Sequence, residues 1–202
     1  MKITLVGPGG AGKTTIGALL AARLDVPFVD LDQRFGSRAG DISEFIERFG
    51  YGAYARENVD TYRAVLHAAD RRSVVALSSG FMTHRWSVHP EYARLHRCIE
   101  RSPTTFVLIP SLNYDRCVAE IVRRQLTRPF ARSAAREEAV IRERFPIYVG
   151  LRARKIETMR PPAAVVEELS AAMKLMAQSW TRDAPAQRER RPVSGDDAPR
   201  VS

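Results

Sequence analysis

Lys2-Ile3-Thr4-Leu5-Val6 runs directly into Gly7-Pro8-Gly9-Gly10-Ala11-Gly12-Lys13-Thr14, and the reading of this stretch decides the fold. The residues up to Val6 form a short apolar run stopped by glycine, the pattern of a buried strand. Gly7 to Thr14 fits GxxxxGK[ST] in full. Beyond it, Ile16, Leu19, Leu20 and Leu24 recur at helical spacing, which predicts a helix over about Gly12 to Leu24. Strand, glycine-rich turn and helix in that order are what a phosphate cradle requires. Glycines let the backbone curl until successive N–H groups converge on phosphate oxygens, and the helix adds the positive end of its dipole. Gly9, Gly10, Ala11, Gly12, Lys13, Thr14 and Thr15 are therefore candidate nucleotide-binding residues. Lys13 is placed to reach the β- and γ-phosphates, and the Thr14 hydroxyl to ligate Mg²⁺. A glycine-rich turn with an accidental lysine is the bland alternative, and the correct flanks weigh against it.

Further along, Val26 to Asp32 reads as a second strand whose tail carries Asp30 and Asp32. Asp41 is placed to cap a helix over Ile42 to Phe49, with Glu44 three residues on as in a capping box. A longer helix is expected over Ala53 to Ala69. Ser73 to Ser78 and Thr105 to Pro110 read as strands, Tyr114 to Gln125 and Arg136 to Phe145 as helices, and Lys155 to Met159 as a short fifth strand. Pro161-Pro162 opens a last helix running to about Gln178. Apolar strands alternating with helices imply an α/β fold with a five-stranded parallel sheet covered on both faces, a three-layer α/β/α sandwich. One domain over residues 1–178 is expected, followed by a tail, 179–202, rich in Pro, Arg and Asp. That tail cannot bury enough apolar surface to offset its ordering entropy and is expected to be disordered.

The chain has 202 residues and a net charge of +9, from 32 Lys+Arg against 23 Asp+Glu; only four of those cations are lysine. Arginine forks suit carboxylates and phosphates, so the charge fits an anion-handling enzyme as well as a nucleic-acid binder. The cations are scattered and not interleaved with aromatics, which argues against nucleic acid as a partner. No apolar run reaches the roughly 18 residues of a membrane span, and no secretory signal is read at the start. A cytoplasmic location and a monomer are expected. Cys98 and Cys117 have neither CxxC spacing nor histidine pairs beside them; both read as small buried hydrophobes. His84 and His89 follow the Ser78–Gly80 loop and could face the acceptor pocket, but they read first as surface or capping residues. Trp86 reads as packing.

Several ordered segments between residue 1 and about 175 resemble the shikimate kinases, within the nucleoside-monophosphate-kinase-like group of P-loop folds. They are the early P-loop, Asp30-Leu31-Asp32, the segment Asp41-Ile42-Ser43-Glu44-Phe45-Ile46 with Phe49-Gly50 and Tyr54-Ala55-Arg56-Glu57, Thr127-Arg128-Pro129-Phe130, and Arg144-Phe145-Pro146-Ile147-Tyr148. The resemblance implies an ATP-dependent kinase of aromatic amino-acid biosynthesis, using Mg²⁺ and converting shikimate to shikimate 3-phosphate. It implies that Asp30 helps hold Mg²⁺ through water and that Asp32 meets the acceptor hydroxyl and takes its proton. Residues 126–135 would form a mobile lid bringing Arg128 over the γ-phosphate as an arginine supplied in cis. Arg144 would pair with the acceptor's carboxylate, and Arg124 or its neighbour Arg123 would pack on adenine.

The acceptor end departs from that pattern. Where the family has three consecutive glycines, this chain has Ser78-Ser79-Gly80. Ser79 would either hydrogen-bond an acceptor hydroxyl or exclude the usual substrate, with Gly80 still allowing close approach. The family's carboxylate-binding arginine in F-R-x-x-E falls on Ala55, its glutamate on Asn58, and Arg56 stands one residue later. One residue on a helix is about 100° of rotation, so Arg56 is a substrate-binding candidate and not an automatic substitute. A kinase of the same architecture for a different hydroxylated metabolite, and a nucleotide-binding module without turnover, are the competing readings.

Overall fold

The computed structural model describes residues 2–67, 72–127 and 133–183. Five parallel strands, β1 (Lys2–Val6), β2 (Phe28–Asp30), β3 (Ser73–Ala76), β4 (Thr105–Ile109) and β5 (Arg154–Glu157), form one sheet in the order β2-β3-β1-β4-β5. Strand β1 lies at the centre, with Leu5 opposite both Ala76 of β3 and Phe106 of β4. The helices are α1 (Lys13–Leu24), α2 (Leu31–Ala39), α3 (Ile42–His67), α4 (Tyr92–Arg101), α5 (Tyr114–Leu126), α6 (Ala134–Gly150) and α7 (Pro162–Asp183).

The strands are apolar nearly throughout because both faces are buried, and the two-residue period of the pleat sorts their side chains into two cores. Ile3, Leu5, Val74, Phe106, Leu108 and Ile156 face one side, where Ile16 and Leu20 of α1 and Val165 and Leu169 of α7 cover them. Val6, Val75, Leu77 and Val107 face the other, under Val59 and Tyr62 of α3, Tyr92 and Leu95 of α4, and Tyr148. The three-layer sandwich read from the sequence is the observed one. A smaller cluster joins Phe35 of α2 to Tyr54 and Ala55 of α3.

Several elements differ from their sequence reading. The apolar run after Val26 stays extended only to Asp30; Leu31 begins α2, because the Asp30 carboxylate accepts from the N–H groups of Asp32 (2.9 Å) and Gln33 (3.4 Å) and caps a helix. Asp32 therefore sits in the first turn of a helix and not on a strand tail. Asp41 caps as expected, accepting from Ser43 and Glu44. The two helices expected beyond it meet at Gly50, whose φ of 83° and ψ of 161° kink α3. Pro146 does not end α6, which continues to Gly150. The fully buried Tyr148 and the neighbouring Leu151 offset the lost helical N–H donor. Helix α7 extends five residues past its expected end, and the tail beyond Asp183 lies outside the described residues. Among the described residues no helix is long and apolar enough to cross a membrane.

Candidate active site

Parallel strands present their carboxyl ends on one edge of the sheet, where ligands of open α/β folds sit. The P-loop follows β1 there, Asp30 ends β2, Ser78-Ser79-Gly80 follow β3, and Thr158 follows β5. Gly7 has a φ of 148°, and a Cβ on it would lie 2.2 Å from the Leu108 carbonyl oxygen, so only glycine lets the loop leave β1 beside β4. Helices α2, α3, α5 and α6 have their first amides satisfied by the side chains of Asp30, Asp41, Asn113 and Ser133. Helix α1 differs. Its N-cap is Gly12, with no side-chain cap and no acidic residue in its first turn, which leaves its leading N–H groups and dipole available to an anion.

Around that helix end, Gly9 to Thr15, Asp30, Asp32, Ser79 and Gln125 line a cavity of about 120 Å³. The Lys13 ammonium arcs back over the loop, donating to the carbonyls of Gly7 (2.7 Å) and Pro8 (3.0 Å). Thr14 donates its hydroxyl hydrogen to the Asp30 carboxylate at 2.7 Å. Hydroxyl and carboxylate oxygens side by side are hard donors of the kind Mg²⁺ accepts alongside water and phosphate.

The loop is braced from behind by residues whose sequence signal was slight. Thr158 donates to the Ala11 carbonyl at 3.0 Å. Arg124 donates to Gly10 O (3.1 Å) and to Thr158 O (2.8 Å) and pairs with Glu120 at 2.6 Å. It is anchored against the loop, whereas Arg123, the other base-stacking candidate, lies 65% exposed on Glu120. Hydrogen bonds from Arg123 and then Arg124 hold the Glu120 carboxyl down at about 2, so the brace stays charged at any working pH. Gln125, beside Gly9, donates to Glu137 at 3.2 Å.

Ser79 links this cavity to a second. Its carbonyl accepts from the Tyr148 hydroxyl (2.7 Å) and from Arg144 (3.3 Å), fixing the loop after β3. Arg144 is half-buried and also lines a cavity of about 630 Å³ together with Tyr51, Ala55, Arg56, Thr83, Arg85, Val88 and Glu143. Gly80 stays close to Tyr51 and Arg144; a Cβ there would lie 2.8 Å from the Tyr51 hydroxyl oxygen. Arg56 reaches the same cavity, its Nε donating to the Val88 carbonyl at 3.3 Å. Asn58, fully buried, donates to the Ser78 hydroxyl at 2.8 Å, so two of the chain's departures at the acceptor end form one interacting pair.

The structure corrects two minor readings. His84 is neither a surface nor a capping residue: it is 6% exposed, caged by Tyr51, Tyr54, Phe81 and Tyr92. Burial, aided by the Arg144 charge, lowers its pKa from 6.5 to about 4, so the ring is neutral. His89 does cap, accepting from the Glu91 N–H at 3.0 Å. Cys98 is exposed and only Cys117 is buried. Trp86 is 61% exposed yet packs on Tyr92 and His96. Arg128 lies outside the described residues.

A P-loop whose uncapped helix end lies beside Asp30 and Asp32, with a separate arginine-lined cavity beside the loop after β3, fits a small-molecule phosphotransferase. Its family follows from comparison with known proteins. The sequence model of the shikimate kinase family matches residues 9–174, and this chain belongs to that family. It is 31% identical to the shikimate kinase of Nitratidesulfovibrio vulgaris over 181 residues, covering 84% of this chain and 94% of that one. Shikimate kinase 2 of Dickeya chrysanthemi is 29% identical, covering 87% and 97%. Among solved structures, a shikimate kinase from Acinetobacter baumannii in complex with shikimate superposes with a TM-score of 0.64 at 22% identity, over 91% of this chain and 94% of that one. A gluconokinase from Sinorhizobium meliloti shares the fold at a TM-score of 0.53 and 17% identity, over 91% and 97%.

Proposed function

We propose that this chain transfers the γ-phosphoryl group of ATP to a hydroxyl of shikimate, yielding shikimate 3-phosphate and ADP. The observation that carries this reading is the single cavity in which the P-loop, Asp30, Asp32 and Ser79 meet, joined through Ser79 to the arginine-lined pocket. The loop amides, the α1 terminus and Lys13 hold the triphosphate. Thr14 and Asp30 would hold Mg²⁺, which when bound neutralises charge on the β- and γ-oxygens. Asp32 orients the acceptor hydroxyl and takes its proton as the new O–P bond forms and the bond to ADP breaks. Arg144 binds the acceptor's carboxylate, with Arg56 and Ser79 beside it, and Gly80 keeps the approach open. Arg124 steadies the loop at the nucleotide end, and Arg128 supplies positive charge to the γ-phosphate. The enzyme is a monomer that acts in the cytoplasm.

Steady-state assays of ADP release with shikimate test this assignment. Asp32→Asn should lower kcat by roughly 10²–10⁴-fold while leaving the KM for ATP within a few-fold. Unchanged kcat in that variant would remove Asp32 from the chemistry.

A further inference from the structure

Arginine is abundant on this chain, and only some of its examples are paired. Arg23, Arg38, Arg63, Arg94, Arg123, Arg142, Arg154 and Arg160 each pair with a carboxylate. The 630 Å³ cavity gathers three others. Arg56, Arg85 and Arg144 line it with one acidic residue, Glu143, and among the described residues none of the three arginines is in an ion pair. Two of them are nonetheless held in place, Arg56 by the Val88 carbonyl and Arg144 by Ser79. Arg85 is set by its neighbour. His84 and Arg85 are both extended, with ψ near 153° and 142°, between 3-10 turns at Phe81–Thr83 and Trp86–Val88. With φ near −66° and −63° this is polyproline-II backbone, which turns successive side chains roughly 120° apart. His84 is locked into its aromatic cage, and Arg85 points in a different direction and lines the cavity. Next to them, Ala55 is 2% exposed and presents no charge.

We propose that Arg56 and Arg85 join Arg144 as an anion clamp that binds the acceptor's carboxylate, taking over the contact that an arginine at position 55 would make. The inference rests on the carboxylate-bearing acceptor proposed above. It moves the anion-binding point off the buried face of α3 onto the next residue of that helix and the loop that follows β3. Guanidinium forks without carboxylate partners are ready to take up an anion without first breaking an internal ion pair. Arg85 thereby becomes a substrate-binding residue that the P-loop and strand-end motifs do not reveal.

Calorimetric titration of shikimate, and separately of its methyl ester, into protein saturated with ADP and Mg²⁺ tests the clamp. Arg85→Ala and Arg56→Ala should each raise the Kd for shikimate about tenfold or more, the size of one lost charge-assisted hydrogen bond, and leave the Kd for the ester and the KM for ATP unchanged. Lysine at position 85 should restore only part of the affinity, since it keeps the charge but not the fork. Shikimate affinity unchanged within twofold in both alanine variants would overturn the clamp. If the unsubstituted protein binds ADP but not shikimate, the acceptor assignment fails separately, and benzoate and inorganic phosphate become the probes. Binding of either anion that disappears in the Arg56→Ala, Arg85→Ala double variant upholds the clamp, and no anion binding at all overturns it.

Discussion

Lys13 and His84 mark the two ends of the site, one charged and one kept neutral. The Lys13 ammonium rests on the carbonyls of Gly7 and Pro8, beside the loop that the proposed mechanism has hold the triphosphate. Lys13→Ala should reduce kcat/KM by about 10²–10³-fold, the scale of one lost preorganised charge donor, without unfolding the chain; near-normal turnover would displace this lysine from the mechanism. His84 makes a different kind of prediction. Folding lowers its pKa from 6.5 to about 4 through burial and then through Arg144. The unfolded chain therefore takes up this proton as pH falls below 6.5, and the folded chain does not until about 4. Proton binding at His84 adds no pH dependence above 6.5, and stability is lost progressively between 6.5 and 4, by about 3 kcal/mol in all. Urea unfolding at pH 7.5, 6 and 5 should show that decline. His84→Gln should flatten it, though not wholly, because burial also lowers the His96 pKa. An identical pH slope in the variant would contradict the account.

Among the elements, α3 carries the acceptor end, and its shape depends on Gly50. With a φ of 83° and a ψ of 161°, that residue occupies a region open essentially to glycine alone, while a Cβ there would meet no neighbouring atom. Gly50→Ala should therefore destabilise by about 1–3 kcal/mol through backbone strain without any clash. Because Tyr51 follows directly, shikimate affinity should fall as well; thermal unfolding and shikimate titration read the two effects, and a neutral substitution would deny the kink its role. The kink also shows where sequence reading reaches its limit. Strand β1, the P-loop and α1 were legible because their signals are contiguous. Helix α2 was not, since its opening residues Leu31 and Asp32 continue an apolar run and only the Asp30 cap, a local hydrogen-bonding choice, turns them into a helix. Helix α4 was missed although Tyr92, Leu95, His96 and Ile99 hold its buried face at helical spacing. Arg85 carries no sequence signal of its own and His84 reads as a surface or capping residue, because their settings arise only where α3, α6 and the loop after β3 converge.

Across the whole molecule, one sheet edge gathers a phosphate site intact in every residue of its motif and an acceptor site rebuilt around Ala55, Asn58, Ser78 and Ser79. The two are mechanically continuous: Arg144 and Tyr148 of α6 hold Ser79, which borders the phosphate cavity, while α5 and Thr158 brace the loop opposite. Altered acceptor residues beside an unaltered cradle predict that nucleotide affinity is ordinary for the family and that selectivity among hydroxylated acids is where this chain differs. The most direct test is mass spectrometry of the products after incubation of the purified chain with ATP, Mg²⁺ and shikimate. The account predicts ADP together with shikimate carrying one added phosphoryl group, and neither product with Lys13→Ala. ATP binding accompanied by no phosphorylated shikimate would contradict it.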